Sequence, residues 1–89
     1  MDIKVQQLKP EELKKMGVLD WPVWRREVSK FPWSYDAEEE CYFLEGEVTI
    51  HKDDGTKLEI GKGDFVTFPK GLSCIWDIKK TVKKHYSFK

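Results

Sequence analysis

Apolar and polar residues alternate along most of the second half of the chain, and this period of two is the repeat of a β-strand with one buried face. The clearest case is a pair of runs at residues 48–50 and 58–60, whose apolar side chains share one face, with Asp54-Gly55 between them. Aspartate-glycine is a favoured hairpin turn, because glycine accepts positive φ. The pattern predicts an antiparallel hairpin and places His51 on its polar face, where we expect no metal-ligand role.

Further short strands are predicted on both sides of this hairpin. Alternation runs over residues 33–44, a short apolar run occupies residues 65–68 between two turns, and a last alternating segment covers residues 74–88. On that last segment Lys84 falls on the apolar face, and His85 points outwards by the same parity. Short strands joined by turns favour an antiparallel barrel of six to eight strands, because closure removes exposed edges.

The first 32 residues carry helical signals after a short possible edge strand. Residues 10–16 begin with a proline and two glutamates, contain two lysines and precede a glycine, all of which favour a short helix. Trp24, Val28 and Phe31 recur at i, i+4 and i+7, which predicts a second short helix that Pro32 ends. We expect residues 18–31 as a whole to form a lid or cap on the barrel mouth.

With 89 residues the chain is expected to form one domain, with an N-terminal strand and helix cap at residues 1–32 and a barrel at residues 33–89. Sixteen basic and sixteen acidic residues cancel, which removes the net positive charge on which non-specific binding to nucleic acids and membrane surfaces depends. No apolar run approaches the ~20 residues that span a bilayer, and the N-terminus lacks a signal-peptide core. We therefore expect a cytoplasmic protein without nucleic-acid or membrane partners.

Two features of the composition bear on assembly and source. A small β domain with four tryptophans and five phenylalanines is poorly able to bury all of them, so we expect a homodimer. The charge is mostly lysine and glutamate, asparagine is absent and glutamine occurs twice, a bias that hyperthermophile proteins show. This predicts a thermophilic source, and a melting midpoint of ~45–65 °C would count against it.

Residues 61–74 combine a glycine turn, a short strand, a proline-glycine turn and a cysteine. The stretch resembles the second cupin motif, in which a glycine, a proline and a glycine precede a metal-binding histidine. The corresponding positions here are Gly63, Pro69, Gly71 and Cys74. Glu39, seven residues before a glycine, matches the glutamate of the first cupin motif. The other motif positions are changed, because the two first-motif histidines fall near Pro32 and Ser34 and the second-motif asparagine falls at Ile78.

A closer resemblance extends from about Trp33 onward, to the small single-domain cupins grouped with ureidoglycine aminohydrolase and the ethanolamine-utilisation cupins. It rests on Trp33-Ser-Tyr35, Glu39, Cys41-Tyr42, Leu44-Glu-Gly46, Gly63-Asp64, Phe68-Pro69, Gly71, Trp76 and Lys84-His-Tyr86. This resemblance implies an all-β fold, an antiparallel cupin barrel of the double-stranded β-helix or jelly-roll type with one or two short N-terminal helices. The group has mixed and largely unassigned activities, so the resemblance implies no particular reaction.

Strand parity and the cupin pattern together predict a polar set inside the barrel. If Glu39 faces the lumen, Cys41 shares its face, and the pattern brings Cys74 opposite. Lys84 joins them as a third candidate catalytic residue beside Glu39 and Cys74. The candidate ligand-binding residues are Tyr35, Cys41 and Trp76. A carboxylate, thiols, an amine and aromatic walls are typical of a pocket for a small polar molecule.

Three interpretations of this set remain open. In the first, Glu39 and Cys74, with or without Cys41, bind a divalent metal such as zinc, for which thiolate and carboxylate are competent ligands. In the second, Glu39 or Lys84 acts as acid or base on a small molecule, and Cys74 is a candidate nucleophile. In the third, the barrel is a non-catalytic ligand-binding, structural or interaction module without a metal, and Glu39 and Lys84 form a buried contact.

Overall fold

The computed structural model describes residues 2–89, which form seven strands, one α-helix and one 3-10 helix. In chain order these are β1 (Lys4–Gln6), α1 (Pro10–Met16), the 3-10 helix (Val18–Asp20), β2 (Val23–Arg26), β3 (Ser29–Ser34), β4 (Glu39–Lys52), β5 (Lys57–Gly61), β6 (Phe65–Phe68) and β7 (Ser73–Phe88). All strand pairs are antiparallel, so the predicted all-β class is confirmed. No helix within residues 2–89 has the length and apolar character needed to cross a membrane.

The two longest strands, β4 and β7, pair with different neighbours along their lengths. The first part of β4 lies between β6 and the end of β7, whereas its second part lies between β5 and the start of β7. β7 pairs with β3 at its start and with β2 near its end. The result is two layers, β1-β6-β4-β7-β2 and β5-β4-β7-β3, which share the two long strands and enclose the core.

A glycine allows β4 and β7 to pass closely where they cross from one layer to the other. The pairing register shifts between Phe43 and Val48, and Gly46 lies in this segment with a φ of +105°. A Cβ atom at Gly46 would lie 2.5 Å from the carbonyl oxygen of Thr81 and 2.8 Å from the Cα of Val82. Glycine is required here, because other residues rarely adopt this φ and no side-chain atom fits the gap.

The core between the layers is aromatic. Trp76 on β7 lies at its centre, with its ring centroid 5.7–6.2 Å from those of four other aromatic side chains. These four are Trp24, Phe31, Phe43 and Phe68. Tilted and offset ring pairs at such distances add stability beyond the area that they bury. Aromatic residues from five strands therefore hold the two layers together.

The predicted hairpin and first helix are both confirmed. β4 and β5 pair with Val48 opposite Ile60, and Gly55 in the connecting turn has a φ of +85°. α1 spans Pro10–Met16 and ends at Gly17, which adopts the left-handed conformation with a φ of 71°. Local sequence predicts both elements, because the turn and cap residues adopt the required backbone conformation and complete the local backbone hydrogen bonds without help from distant parts of the chain.

The N-terminal helices pack on the outside of the barrel rather than over its mouth. Leu13 of α1 and Val18 of the 3-10 helix are buried with Phe65 of β6, and Trp21 packs against this second apolar cluster. The same segment covers His85, whose Nδ1 lies 2.8 Å from the carbonyl oxygen of Trp21. The expectation that His85 reaches solvent is wrong, because the N-terminal segment buries the outer face to which strand parity assigns it.

The second predicted helix is wrong. Residues 24–31 instead form most of β2, a two-residue connection and the start of β3. Trp24 and Phe31 contact the same core because both of their strands pair with β7, whereas Val28 in the connection is 64% exposed. The helix-like spacing therefore reflects two strands on either side of a turn, and the aromatic residues expected in a lid lie on strands.

Candidate functional site

A cavity of about 170 Å³ lies beside β2 and β3, the strands that end the two layers on this side of the barrel. Two charged side chains, Glu39 and Lys84, lie on its wall. The rest of its lining is aromatic, from Trp24, Phe31, Trp33, Tyr35, Trp76, Tyr86 and Phe88. The structure therefore brings four of the predicted site residues, Tyr35, Glu39, Trp76 and Lys84, to one cavity.

Glu39 and Lys84 form a buried ion pair. Nζ of Lys84 lies 3.1 Å from Oε2 of Glu39, and each side chain is 5% exposed. Glu39 begins β4, and Lys84 lies on the adjacent part of β7 opposite Phe43 in the strand register. An isolated charge buried to this degree would be strongly disfavoured, so the two opposite charges compensate for each other's loss of solvent.

Lys84 is enclosed by groups that stabilise a cation. Its Nζ lies 3.2 Å from Sγ of Cys41, to which it donates, and 4.9 Å and 4.8 Å from the ring centroids of Trp24 and Trp76. Ammonium groups within about 6 Å of an aromatic ring face are attracted by the negative face of the ring. The ammonium of Lys84 therefore has a carboxylate, a sulfur and two indole faces around it.

Tyr35 closes one side of the cavity as a neutral hydrogen-bonding group. Its ring stacks on Phe68 at a centroid distance of 4.9 Å, and its hydroxyl oxygen accepts a hydrogen bond from Nε1 of Trp76 at 3.2 Å. Burial raises the pKa of Tyr35 well above its ordinary value, and the negative charge of Glu39 adds to that rise. The phenol therefore keeps its proton and can donate it in a hydrogen bond.

The two cysteines are protonated thiols in different places. Burial raises the pKa of Cys41 to about 12, although the ammonium of Lys84 favours the thiolate. Burial also raises the pKa of Cys74 to about 11. Cys41 contacts Lys84, whereas Cys74 belongs to the core but is not part of the cavity lining. A catalytic or ligating role for Cys74 stays a prediction, and a protonated thiol suits neither role well.

The residues around Glu39 do not fit a divalent metal. Within residues 2–89 no group of three or more histidine, cysteine, aspartate and glutamate side chains is placed to hold an ion. The ammonium of Lys84 already lies beside the carboxylate, and a second cation there would be repelled. His51 lies elsewhere, with Nε2 3.3 Å from Oδ2 of Asp77, whose pKa is held below its usual range chiefly by the hydrogen bond from Lys79.

Sequence reasoning missed several walls of the cavity. The helical spacing assigns Trp24 and Phe31 to a helix, and alternation identifies Tyr86 and Phe88 only as apolar positions of the last strand. The available signal was the alternation of Lys84, Tyr86 and Phe88, which puts all three on one face of β7. That face becomes a cavity because β2 and β3 end the two layers beside it.

Comparisons with a protein-family model and with solved structures agree on one family. The EutQ-like cupin domain matches residues 13–86. A crystal structure of a DUF861 family protein from Thermotoga maritima is 49% identical, covers 99% of this chain and 100% of its own, and has a TM-score of 0.97. No curated protein shows significant similarity to the chain.

More distant structures share the fold. The EutQ protein of Clostridium difficile is 21% identical over 74% of this chain and 52% of its own, with a TM-score of 0.67. A DUF861 protein of unknown function from Pseudomonas syringae is 25% identical over 75% of this chain and 29% of its own, with a TM-score of 0.69. The chain therefore belongs to the EutQ-like cupin family, as a small cupin of unassigned activity.

Proposed function

We propose that the chain binds a small molecule in this cavity, with the aromatic walls holding an apolar body and Glu39 and Lys84 holding a polar group. The observation that carries the proposal is the buried ion pair on the wall of an otherwise aromatic cavity. Apolar residues of similar volume often replace a buried ion pair without loss of stability. The pair is therefore poorly explained by folding alone, whereas a few directed polar groups in an apolar pocket are typical of ligand sites.

The cavity limits the size of the ligand. An engineered apolar cavity of roughly 150 Å³ in another protein binds benzene. The volume of about 170 Å³ therefore suits a molecule of one ring or a short chain. Trp33 and Phe88, which line the cavity, are 43% and 53% exposed, so the wall is in contact with solvent on that side.

The ion pair also limits the polar group of the ligand. Lys84 supplies a donor and Glu39 supplies an acceptor, and their charged atoms are 3.1 Å apart. A group with an acceptor and a donor side by side, such as a carboxamide, can contact both without leaving either unpaired. The neutral phenol of Tyr35 offers a further donor on the same wall.

Ligand-observed saturation-transfer NMR with benzamide tests this proposal. We expect transfer to the benzamide ring from the wild-type protein and a sharp loss with the double variant Glu39→Met/Lys84→Met, which leaves neither charge unpaired and so should keep the fold. Lys79→Met is the matched control, because Lys79 is on the same strand and is also paired with a carboxylate, Asp77 at 2.9 Å, but is 55% exposed. Equal transfer to both variants would contradict binding at the Glu39–Lys84 pair.

Two other outcomes would replace the proposal with an alternative interpretation. Elemental analysis that finds one equivalent of zinc per chain, and finds none in Glu39→Gln, would support a metal site. It would contradict the assignment of Lys84 as the cation that pairs with Glu39. Absence of transfer for benzamide, benzoate and benzylamine alike, together with unchanged thermal stability in all three, would favour a structural module. Each result bears on the same cavity, because Glu39 lies on its wall.

A further inference from the structure

We infer that Lys84 captures small aldehydes or ketones as an imine, so that the ligand class of the proposed site includes carbonyl compounds. The inference rests on the proposed function, because it needs the cavity to admit a ligand. Among the lysines of residues 2–89, Lys84 alone is buried, and it lies on the cavity wall. Its amine therefore meets any carbonyl group that enters with its apolar body against the aromatic side chains.

Glu39 supplies the proton acceptor that this reaction requires. A lysine amine attacks a carbonyl carbon only as the neutral amine, and an adjacent base makes that form available. Oε2 of Glu39 lies 3.1 Å from Nζ of Lys84, which is within hydrogen-bond reach for direct proton transfer.

The reaction balances within this pair. Glu39 takes one proton from the ammonium, and the freed nitrogen lone pair forms a bond to the carbonyl carbon as the carbonyl π electrons move to oxygen. A second proton passes from nitrogen to that oxygen, giving a neutral carbinolamine. Glu39 then returns its proton to the hydroxyl group, the carbon–oxygen bond breaks and water leaves. The products are a protonated imine, an ionised Glu39 and one water molecule.

The surroundings of Lys84 suit the product as well as the starting amine. The protonated imine carries the same single positive charge, so the contacts with Glu39 and with the indole faces of Trp24 and Trp76 are kept. Aromatic walls also limit the water that would hydrolyse the imine. The same walls restrict the carbonyl compound to one ring or a short chain, as for any ligand of this cavity.

Reductive trapping tests the inference on the whole wild-type protein. The protein is incubated with benzaldehyde and sodium cyanoborohydride at neutral pH, and peptide mass spectrometry measures benzylation at each lysine. We expect Lys84 to be modified to a greater extent than any exposed lysine, with Lys79 as the reference on the same strand. Benzamide at saturation should protect Lys84 and leave Lys79 unaffected.

Two variants keep the result interpretable. Lys84→Arg retains a cation beside Glu39 but cannot form an imine, so it should fold and lose only the trapped product at this position. Glu39→Gln should slow trapping at Lys84 and leave trapping at Lys79 unchanged. We expect circular dichroism to show an intact barrel for both variants, because glutamine at position 39 still offers an oxygen acceptor to Lys84.

The outcomes separate this inference from the proposed function. If benzamide binds but Lys84 is benzylated no more than Lys79, imine capture is wrong and the binding proposal stands. If benzamide does not bind and Lys84 is not preferentially modified, both are wrong. Preferential, benzamide-sensitive modification of Lys84 supports both together.

Discussion

Removing one partner of the Glu39–Lys84 pair should destabilise the protein far more than removing both. The two side chains are each 5% exposed, and their charged atoms are 3.1 Å apart. Glu39→Met leaves an ammonium without its carboxylate, and Lys84→Met leaves a carboxylate in an aromatic wall. The double variant leaves neither charge, and methionine has a volume close to that of either side chain.

The expected magnitudes follow from the burial of the pair. Loss of one partner of a buried pair costs about 3–5 kcal/mol, whereas replacement of both by apolar residues is neutral or stabilising by about 1–4 kcal/mol. At about 4–8 °C per kcal/mol for a domain of this size, each single variant should melt roughly 12–40 °C below the wild type. The double variant should melt at or above the wild-type midpoint.

Urea denaturation followed by tryptophan fluorescence measures the four free energies of unfolding in this cycle. The matched control is the same cycle on Glu47 and Lys80, whose charged atoms are 3.4 Å apart with side chains 57% and 71% exposed. Exposed pairs contribute about 0–1 kcal/mol, so that cycle should show almost no coupling. Coupling between Glu39 and Lys84 as small as in the control would refute a desolvated pair and the argument for a ligand built on it.

Three further outcomes are expected. Because the pKa of Cys74 is raised from 9.0 in the unfolded chain to about 11 in the folded protein, the unfolding free energy should fall as pH rises through that range. Cys74→Ala should reduce this fall, and an unchanged profile would count against the raised pKa. Gly46→Ala should lower the unfolding free energy by ~1–3 kcal/mol more than Gly55→Ala does. Both glycines have positive φ, but only Gly46 lacks room for a Cβ atom. Equal losses would contradict the close crossing of β4 and β7. Light scattering should give about twice 10.6 kDa, and a mass near 10.6 kDa would exclude the homodimer.

The sequence predicted the parts of the fold in which local signals and tertiary structure agree. The β4–β5 hairpin follows from alternation and a turn with positive φ at Gly55, and both features lie within a few residues of each other. The helix predicted from the spacing of Trp24 and Phe31 is wrong, because a period of 3.6 over only two turns cannot be distinguished from two short strands with an intervening bend. Only the pairing of both strands with β7 decides between these possibilities.

The sequence indicates which candidate site residues face inwards, whereas the distances between them depend on long-range strand pairing. The cupin motif predicts an inward Glu39 and strand parity an inward Lys84, and one open interpretation pairs them, but the 3.1 Å contact depends on the register of β4 against β7. The position of Cys74 depends on the same register, which pairs it with Lys52 at the far end of β4 from Glu39. No hairpin turn joins β4 to β7, so turn geometry does not fix their register, and alternation fixes only which face of each strand is buried.

The four tryptophan indole N–H groups provide the most direct measurement of ligand binding in the cavity. Three of them belong to residues that line the cavity, Trp24, Trp33 and Trp76. The fourth, Trp21, packs outside the barrel, where its ring centroid lies 6.3 Å from that of Phe65. In a two-dimensional ¹H–¹⁵N NMR titration with benzamide, the indole signals of the first three should shift and that of Trp21 should stay in place. Four unmoved signals, or four signals that shift alike, would contradict a ligand site in this cavity.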